Sequence, residues 1–296
     1  MIRDFFGFRV SESLSKPKPQ ISRQFDFRRI FAALVFVPLF YLLVRFGPPV
    51  LFFFLVTIVS LLALWEFYEM SFPRHGHPMS MASSGALLVL FLVLIQWVAF
   101  TGFLFLLTVA IFGTIIFLIM KLAPAKHAIP PYLIFPLGVL YVGIGLGHFL
   151  LIRNMPEGDL LVFFVILVTW TADTGAYFTG VAMGRRPLAP LLSPKKTVEG
   201  FIGGLLWAVF VAGISHFWFF PFLTLVECVI MGSVLACLGL LGDLAESFFK
   251  RSSGVKDSGT LIPGHGGILD RLDSLLFTGP AFYYSFLLLT PMQGGG

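Results

Sequence analysis

Residues 247–273 read SFFKRSSGVKDSGTLIPGHGGILDRLD and separate two long apolar runs, 222–242 and 275–290. We predict that each run belongs to a membrane-spanning helix, because its length and composition suit a bilayer. The stretch between them is rich in charge and glycine, although only 12% of the chain is charged. A membrane protein rarely places this much charge beside hydrocarbon unless it handles a charged ligand.

The residue types of this stretch point to phosphate chemistry. Lysine and arginine neutralise phosphate oxygens. A glycine-rich turn lets backbone N–H groups close around an anion, and a helix N-terminus adds partial positive charge. Carboxylates among so many bases favour a divalent cation that bridges phosphate oxygens. The candidate binding residues are Lys250, Arg251, Lys256, Asp257, His265, Gly266, Gly267, Asp270, Arg271 and Asp273.

The stretch resembles the signature of phosphatidate cytidylyltransferases, also called CDP-diacylglycerol synthases. The matching pattern is Ser247-x-Phe249-Lys250-Arg251-x4-Lys256-Asp257-x-Gly259-x2-Ile262-Pro263-x-His265-Gly266-Gly267-Ile268-x-Asp270-Arg271-Leu272-Asp273. The resemblance implies an integral membrane enzyme that joins CTP to phosphatidic acid and releases pyrophosphate, with Mg²⁺. It also implies a homodimer, and it implies that Asp243 and Asp270 are metal ligands.

The composition of the whole chain indicates an all-α, polytopic integral membrane protein. Its 296 residues are 57% hydrophobic and include 36 Phe, and the mean hydropathy is +0.93. A soluble domain is usually about 45–50% apolar. At about 20 residues per span, the sequence predicts about nine helices. These are 30–46, 48–70, 84–100, 102–122, 131–152, 160–183, 199–220, 222–246 and 272–290.

Three segments follow from this division. Residues 1–29 form a basic N-terminal segment that either lies on the membrane surface or is a disordered tail. Residues 30–152 hold the first five spans, and residues 153–296 hold the last four, with polar loops at 184–198 and 247–271. We predict that the second of these transmembrane segments is catalytic.

The distribution of Lys and Arg predicts the orientation. With nine spans and a cytoplasmic N-terminus, only Arg45 and Arg153 fall outside the cytoplasmic segments. Enrichment of Lys and Arg on the cytoplasmic side is the expected bias. The prediction is therefore a multi-pass protein of the bacterial cytoplasmic membrane, with both polar loops facing the cytoplasm, where CTP is found.

A second group of candidates lies in the sixth predicted span and the loop after it. Asp173 lies mid-span, where a carboxylate is costly unless it is paired or hydrated. It is either a structural carboxylate paired with a buried base or part of a polar cavity wall that binds nucleotide or cation. Lys195 and Lys196 follow, in the segment SPKKTVEG. With Ser193 or Thr197 as the cap of the next helix, these lysines would flank its N-terminus and bind triphosphate. This segment also resembles the family.

A third group lies where the eighth and ninth spans meet the cytoplasm. Asp243, Glu246 and Lys250 share one helix face by their spacing, and Asp270 and Asp273 share another. Asp243 and Asp270, on facing helices, could hold one or two cations between them. The alternative is a salt bridge from Asp243 and Glu246 to Lys250 and Arg251. His265 either bonds a phosphate or base, or orders the 264–267 turn.

Two other classes of function are weighed against nucleotidyl transfer. A secondary transporter would fit Asp173 and the helices interrupted by Gly and Pro. Another membrane enzyme, such as a lipid kinase or a CDP-alcohol phosphotransferase, would also act on activated lipids. We predict catalysis by Asp243, Lys250 and Asp270 on CTP and phosphatidic acid, and we predict no nucleic-acid partner.

Overall fold

The computed structural model describes residues 41–71, 78–98, 101–122, 129–259 and 266–290. The basic segment 1–29, most of the first predicted span and His265 lie outside the described residues. Residues 41–46 are helical. The longer helices are α1 (Pro49–Ser71), α2 (Pro78–Trp97), α3 (Thr101–Leu122), α4 (Pro131–Arg153), α5 (Gly158–Met183), α6 (Val198–Trp218), α7 (Leu225–Ser252) and α8 (Leu269–Leu289).

The prediction of a helical membrane protein is confirmed. All of these helices except α2 are long and apolar enough to cross a membrane, which makes seven candidate spans among the described residues. Helix α2 contains a shorter apolar stretch, Met81–Trp97. The count of nine spans and the cytoplasmic N-terminus stay predictions. Many large apolar side chains face outward, among them Phe178, Leu206 and Phe217, as lipid-facing helices require.

Proline and hydroxyl residues mark several helix starts. Helices α1, α2 and α4 begin with proline, whose missing N–H costs nothing in a first turn. Helix α7 begins with a capping box, in which Thr224 and Glu227 bond each other's backbone N–H. It then continues to Ser252, six residues beyond its predicted end. That extension carries Lys250 on an unbroken helix that reaches the polar loop.

The all-helical prediction needs a correction in the loop at 184–198. Strands β1 (Pro187–Ala189) and β2 (Ser193–Thr197) pair antiparallel there, with Pro187 opposite Thr197. Lys195 and Lys196 therefore lie on a strand, and Pro194 is not in a first helical turn. Thr197 is the cap of α6, as predicted, and its hydroxyl accepts from the Gly200 N–H at 3.1 Å.

Helices α5 to α8 pack on one another in sequence, and α4 lies against α1, α2 and α8. The tightest crossing for the site is between α7 and α8. A Cβ atom at Gly242 would collide with the carbonyl oxygen of Asp273, so only glycine permits this approach. The next residue, Asp243, is thereby brought beside Asp273.

Candidate functional site

Three carboxylates form the centre of the site, at the crossing of α7 and α8. Oxygen atoms of Asp243, Glu246 and Asp273 all lie within 4.8 Å of one another. Glu246 is fully buried, and its Oε1 has no hydrogen-bond partner. A buried carboxylate oxygen without a donor is costly. The arrangement of closely spaced oxygen ligands fits a hard cation such as Mg²⁺ or Ca²⁺.

Lys250 links this group to Asp270. Its Nζ donates to Glu246 Oε2 at 2.5 Å and to Asp270 Oδ1 at 2.8 Å. The other oxygen of Asp270 accepts from the backbone N–H groups of Gly267 at 2.8 Å and Ser258 at 3.2 Å. Asp270 is therefore engaged with Lys250 and the loop, and it is not a member of the three-carboxylate group. The predicted cation pair of Asp243 and Asp270 stays a prediction.

The two lysines of strand β2 approach the site from the other side. Lys196 forms an ion pair with Asp243, and the Lys196 side chain is 20% exposed. Lys195 is exposed. They precede α6 as predicted, but on a strand, and the first-turn N–H of Gly200 is already bonded to Thr197.

Glu199 holds Arg185 and Arg186 in place at the start of the hairpin. It accepts from the backbone N–H groups of Arg185 at 2.9 Å and Arg186 at 3.1 Å, and from the Arg186 Nε at 2.8 Å. These contacts fix the start of the hairpin beside α6.

A cavity of about 340 Å³ leads to the carboxylates between α5, α6 and α7. Its charged lining residues are Asp173, Lys195, Lys196 and Asp243. Thr197 and Tyr177 also line it, and the other lining residues are apolar or glycine, including Leu205. Asp173 accepts from the Ser274 hydroxyl at 3.3 Å and is exposed to the cavity. Of the two interpretations of Asp173, this placement favours the cavity wall, because Asp173 lines the cavity and accepts its hydrogen bond from a hydroxyl.

The charge balance of the site is negative. Asp173, Asp243, Glu246, Asp270 and Asp273 meet here, and Lys196 and Lys250 of the described part of the chain form ion pairs within this group. Arg251 instead donates to the carbonyl oxygens of Leu192 and Val255, each at 3.2 Å. Excess negative charge in a partly buried site is stabilised by a bound cation.

The remaining predicted residues lie along the polar loop. Lys256, Asp257 and Arg271 are exposed, and Gly266 adopts a left-handed conformation at φ 79°, which glycine permits. The N–H of Gly267 is occupied by Asp270. The described part of the glycine turn therefore directs this N–H at a carboxylate of the chain rather than at a ligand.

Sequence reasoning missed Glu66. This side chain comes from α1, yet its carboxylate accepts from the backbone N–H groups of Ile268 at 2.9 Å and Leu269 at 2.8 Å. It is fully buried. A single glutamate near the end of an apolar run carries no signal of such a contact. The only available hint was the cost of burying a carboxylate in a span.

Residues 27–289 match the model of the cytidylyltransferase family. The chain belongs to that family. The match includes every described element of the site, from α1 to α8. The chain is an integral membrane protein, as its apolar helices indicate.

Curated relatives of the chain are bacterial proteins named phosphatidate cytidylyltransferase. The protein from Staphylococcus epidermidis is 45% identical over 144 residues, which is 49% of this chain and 55% of the relative. The Bacillus subtilis protein is 42% identical over 155 residues, 52% of this chain and 58% of the relative. The Staphylococcus aureus protein is 46% identical over 146 residues, 49% and 55%. The chain thus matches little more than half the length of each relative.

Proposed function

We propose that this protein transfers the cytidylyl group of CTP to phosphatidic acid, forming CDP-diacylglycerol and pyrophosphate. One observation carries the proposal. In a member of the cytidylyltransferase family, a largely apolar cavity is lined by two lysines and reaches Asp243 of the three-carboxylate group. Such a cavity suits a substrate pair in which one member has acyl chains and the other is a polyanion.

The carboxylates proposed to hold a cation are Asp243, Glu246 and Asp273, since their oxygens converge. Mg²⁺ is the proposed ion, and the reaction is compatible with a second cation. When bound, Mg²⁺ neutralises phosphate oxygens and so reduces the repulsion between two anions. Asp270 would orient Lys250 and the loop, and would become a ligand only after release from Lys250.

The reaction itself needs no general base from the chain. A phosphate monoester has a second pKa of about 6, so the lipid phosphate is largely dianionic at neutral pH. One of its oxygens forms a bond to the α-phosphorus of CTP, and the bond from that phosphorus to the β-phosphate oxygen breaks. Pyrophosphate leaves with the electron pair. What the protein supplies is alignment of the two anions and neutralisation of their charge.

The bases of the site are proposed to bind phosphate. Lys195 and Lys196 reach the cavity from β2, and Lys250 lies beside the carboxylates. The predicted residues in and beside the polar loop would contact the nucleotide at the mouth, and the acyl chains would lie between α5, α6 and α7. The proposed loop contacts are Arg251, Lys256, Asp257, His265, Gly266, Gly267 and Arg271.

We further propose that the site faces the cytoplasm, in a bacterial cytoplasmic membrane, with the N-terminus on the same side. The segregation of Lys and Arg supports this orientation. Assembly as a homodimer is proposed on the family resemblance alone.

The proposal is tested with purified protein in detergent micelles that contain phosphatidic acid. Addition of CTP and Mg²⁺ should yield CDP-diacylglycerol and pyrophosphate in equal amounts, and omission of either substrate should abolish both. ATP should not replace CTP. A phosphorylated lipid without pyrophosphate would identify a lipid kinase, and uptake of solute into sealed vesicles without any product would identify a transporter.

Lys196→Ala should raise the KM for CTP by about tenfold, because it removes a charged donor from the cavity. The KM for phosphatidic acid should change by less than about twofold, if the ammonium contacts only the triphosphate. Steady-state kinetics with each substrate varied in turn make the measurement. Arg185→Ala is the matched control, since that side chain is exposed in the same loop. An unchanged KM for CTP in Lys196→Ala would remove this lysine from the nucleotide site.

A further inference from the structure

Glu66 joins the first described span to the loop of the site. Its carboxylate is fully buried and accepts hydrogen bonds from residues on both sides of 260–265. Before them, the Ser258 hydroxyl donates to Oε2 at 3.3 Å. After them, the N–H groups of Ile268 and Leu269 donate at 2.9 and 2.8 Å. One side chain therefore holds the two ends of the loop together.

The close packing around the Glu66 carboxylate explains why residues 259 and 267 are glycine. A Cβ atom added at Gly259 would lie 2.9 Å from Glu66 Oε1. A Cβ atom added at Gly267 would collide with Glu66 Oε2 and the Ser258 hydroxyl. Real Cβ atoms do not approach a carboxylate so closely, so a larger residue at either position would have to displace the Glu66 carboxylate.

The charge of Glu66 is compensated by the start of α8. Among the described residues, no Lys or Arg pairs with it. Its partners are N–H donors at the N-terminus of α8, where the helix dipole favours negative charge. A charged acceptor makes these hydrogen bonds stronger than those of a neutral one. The charge of the carboxylate, and not only its shape, therefore matters for the contact.

Helix α1 gives Glu66 a rigid support. The neighbouring Phe67 packs edge-on against Phe249 of α7, with ring centroids 5.2 Å apart. Tyr68 donates its hydroxyl to the carbonyl oxygen of Phe135 in α4 at 2.8 Å. The position of Glu66 is thus fixed against both α4 and α7, and α7 carries Asp243 and Glu246.

We propose that Glu66 is a positioning residue that fixes the start of α8 relative to α7. It acts through the backbone N–H groups of Ile268 and Leu269, and so sets where Asp273 lies beside Asp243 and where Asp270 meets Lys250. Its effect on rate rests on the proposed function, whereas its effect on the loop does not. The N-terminal helices thereby take part in the site.

The test compares Glu66→Gln with Glu69→Gln, the same change at an exposed residue of the same helix. Glutamine keeps the shape of the side chain, but its NH₂ group faces one of the two N–H donors. Hydrogen exchange of peptides containing residues 267–269 should accelerate at least about tenfold in Glu66→Gln, as expected for loss of a charge-assisted hydrogen bond. Exchange in α5 and α6 should be unchanged, and Glu69→Gln should match the wild type.

Kinetics supply the second readout. Glu66→Gln should lower kcat at least about tenfold while changing each KM less than about twofold, because misplaced carboxylates affect alignment more than binding. Unchanged exchange at residues 267–269 would overturn the proposal, and so would exchange that rises uniformly along the chain. If the wild type makes no CDP-diacylglycerol, the proposed function fails, and the exchange data still decide the role of Glu66.

A second variant covers the case in which Glu66→Gln does not fold. Gly259→Ala pushes on the same carboxylate from the loop and leaves α1 unaltered. It should accelerate exchange at residues 267–269 in the same way. Wild-type exchange in Gly259→Ala would show that the carboxylate does not control the start of α8, and would overturn the proposal.

Discussion

Asp273→Asn lowers kcat by at least about a thousandfold in our account, and Asp243→Asn does the same, because each removes a charged ligand from the proposed cation site. The oxygens of these residues lie within 4.8 Å of each other and of Glu246. Asparagine preserves the shape, so the fold should persist. The measurement is the initial rate of CDP-diacylglycerol formation at saturating CTP and phosphatidic acid, together with the melting temperature of each variant.

Asp270→Asn and Glu157→Gln complete this series. Asp270 accepts hydrogen bonds from Lys250 and from two backbone N–H groups, so its loss should cost less than that of Asp273. Glu157 is exposed in the connection between α4 and α5, and Glu157→Gln should keep the wild-type rate. If Asp273→Asn retains most of the rate while Asp270→Asn does not, the pairing of Asp243 with Asp270 predicted from the sequence is the correct one.

The second large effect is expected for Lys250→Met. Lys250 is 13% exposed and bonds two carboxylates, Glu246 and Asp270. Removing one partner of a buried ion pair costs about 3–5 kcal/mol, because the remaining charges are left without compensation. We expect a lower melting temperature and loss of activity. Lys121→Met, at an exposed lysine of α3, is the control and should change neither.

A double variant separates the structural role of Lys250 from its catalytic one. Lys250→Met with Asp270→Asn removes one of the uncompensated charges, so part of the lost stability should return. The activity should not return if Lys250 also binds phosphate. Recovery of activity together with stability would show that Lys250 serves the fold alone, as the salt-bridge alternative holds.

Most of the fold could be predicted because an apolar run long enough to cross a membrane rarely forms anything other than a helix. The predicted spans 131–152 and 160–183 differ from α4 and α5 by at most two residues at either end. The hairpin at 187–197 could not be predicted, because its strands are short and SPKKT reads equally well as a loop before a helix. Glu199 accepts hydrogen bonds from Arg185 and Arg186 just before the hairpin, and spacing alone does not reveal these contacts.

The site could be predicted as a set of residues but not as a set of contacts. Asp270 and Asp273 share a helix face by spacing, yet a carboxylate in a first turn can also turn back to the loop. Asp270 does so, toward the N–H of Gly267. The spacing of Glu246 indicates only a salt bridge to Lys250, although its Oε1 has no hydrogen-bond partner in the structure. Glu66 contacts residues more than 200 positions away in the sequence, and no local sequence pattern predicts a contact over that separation.

The central claim is that carboxylates from α7 and α8 form a cation site. It is tested most directly by titrating purified protein with Mn²⁺, a spectroscopic substitute for Mg²⁺, and counting free ion by electron paramagnetic resonance without nucleotide. The account predicts saturable binding that Asp243→Asn and Asp273→Asn each weaken at least about tenfold, since both remove a charged oxygen ligand. Binding of equal strength in the wild type and in both variants, or none in the wild type, would contradict it.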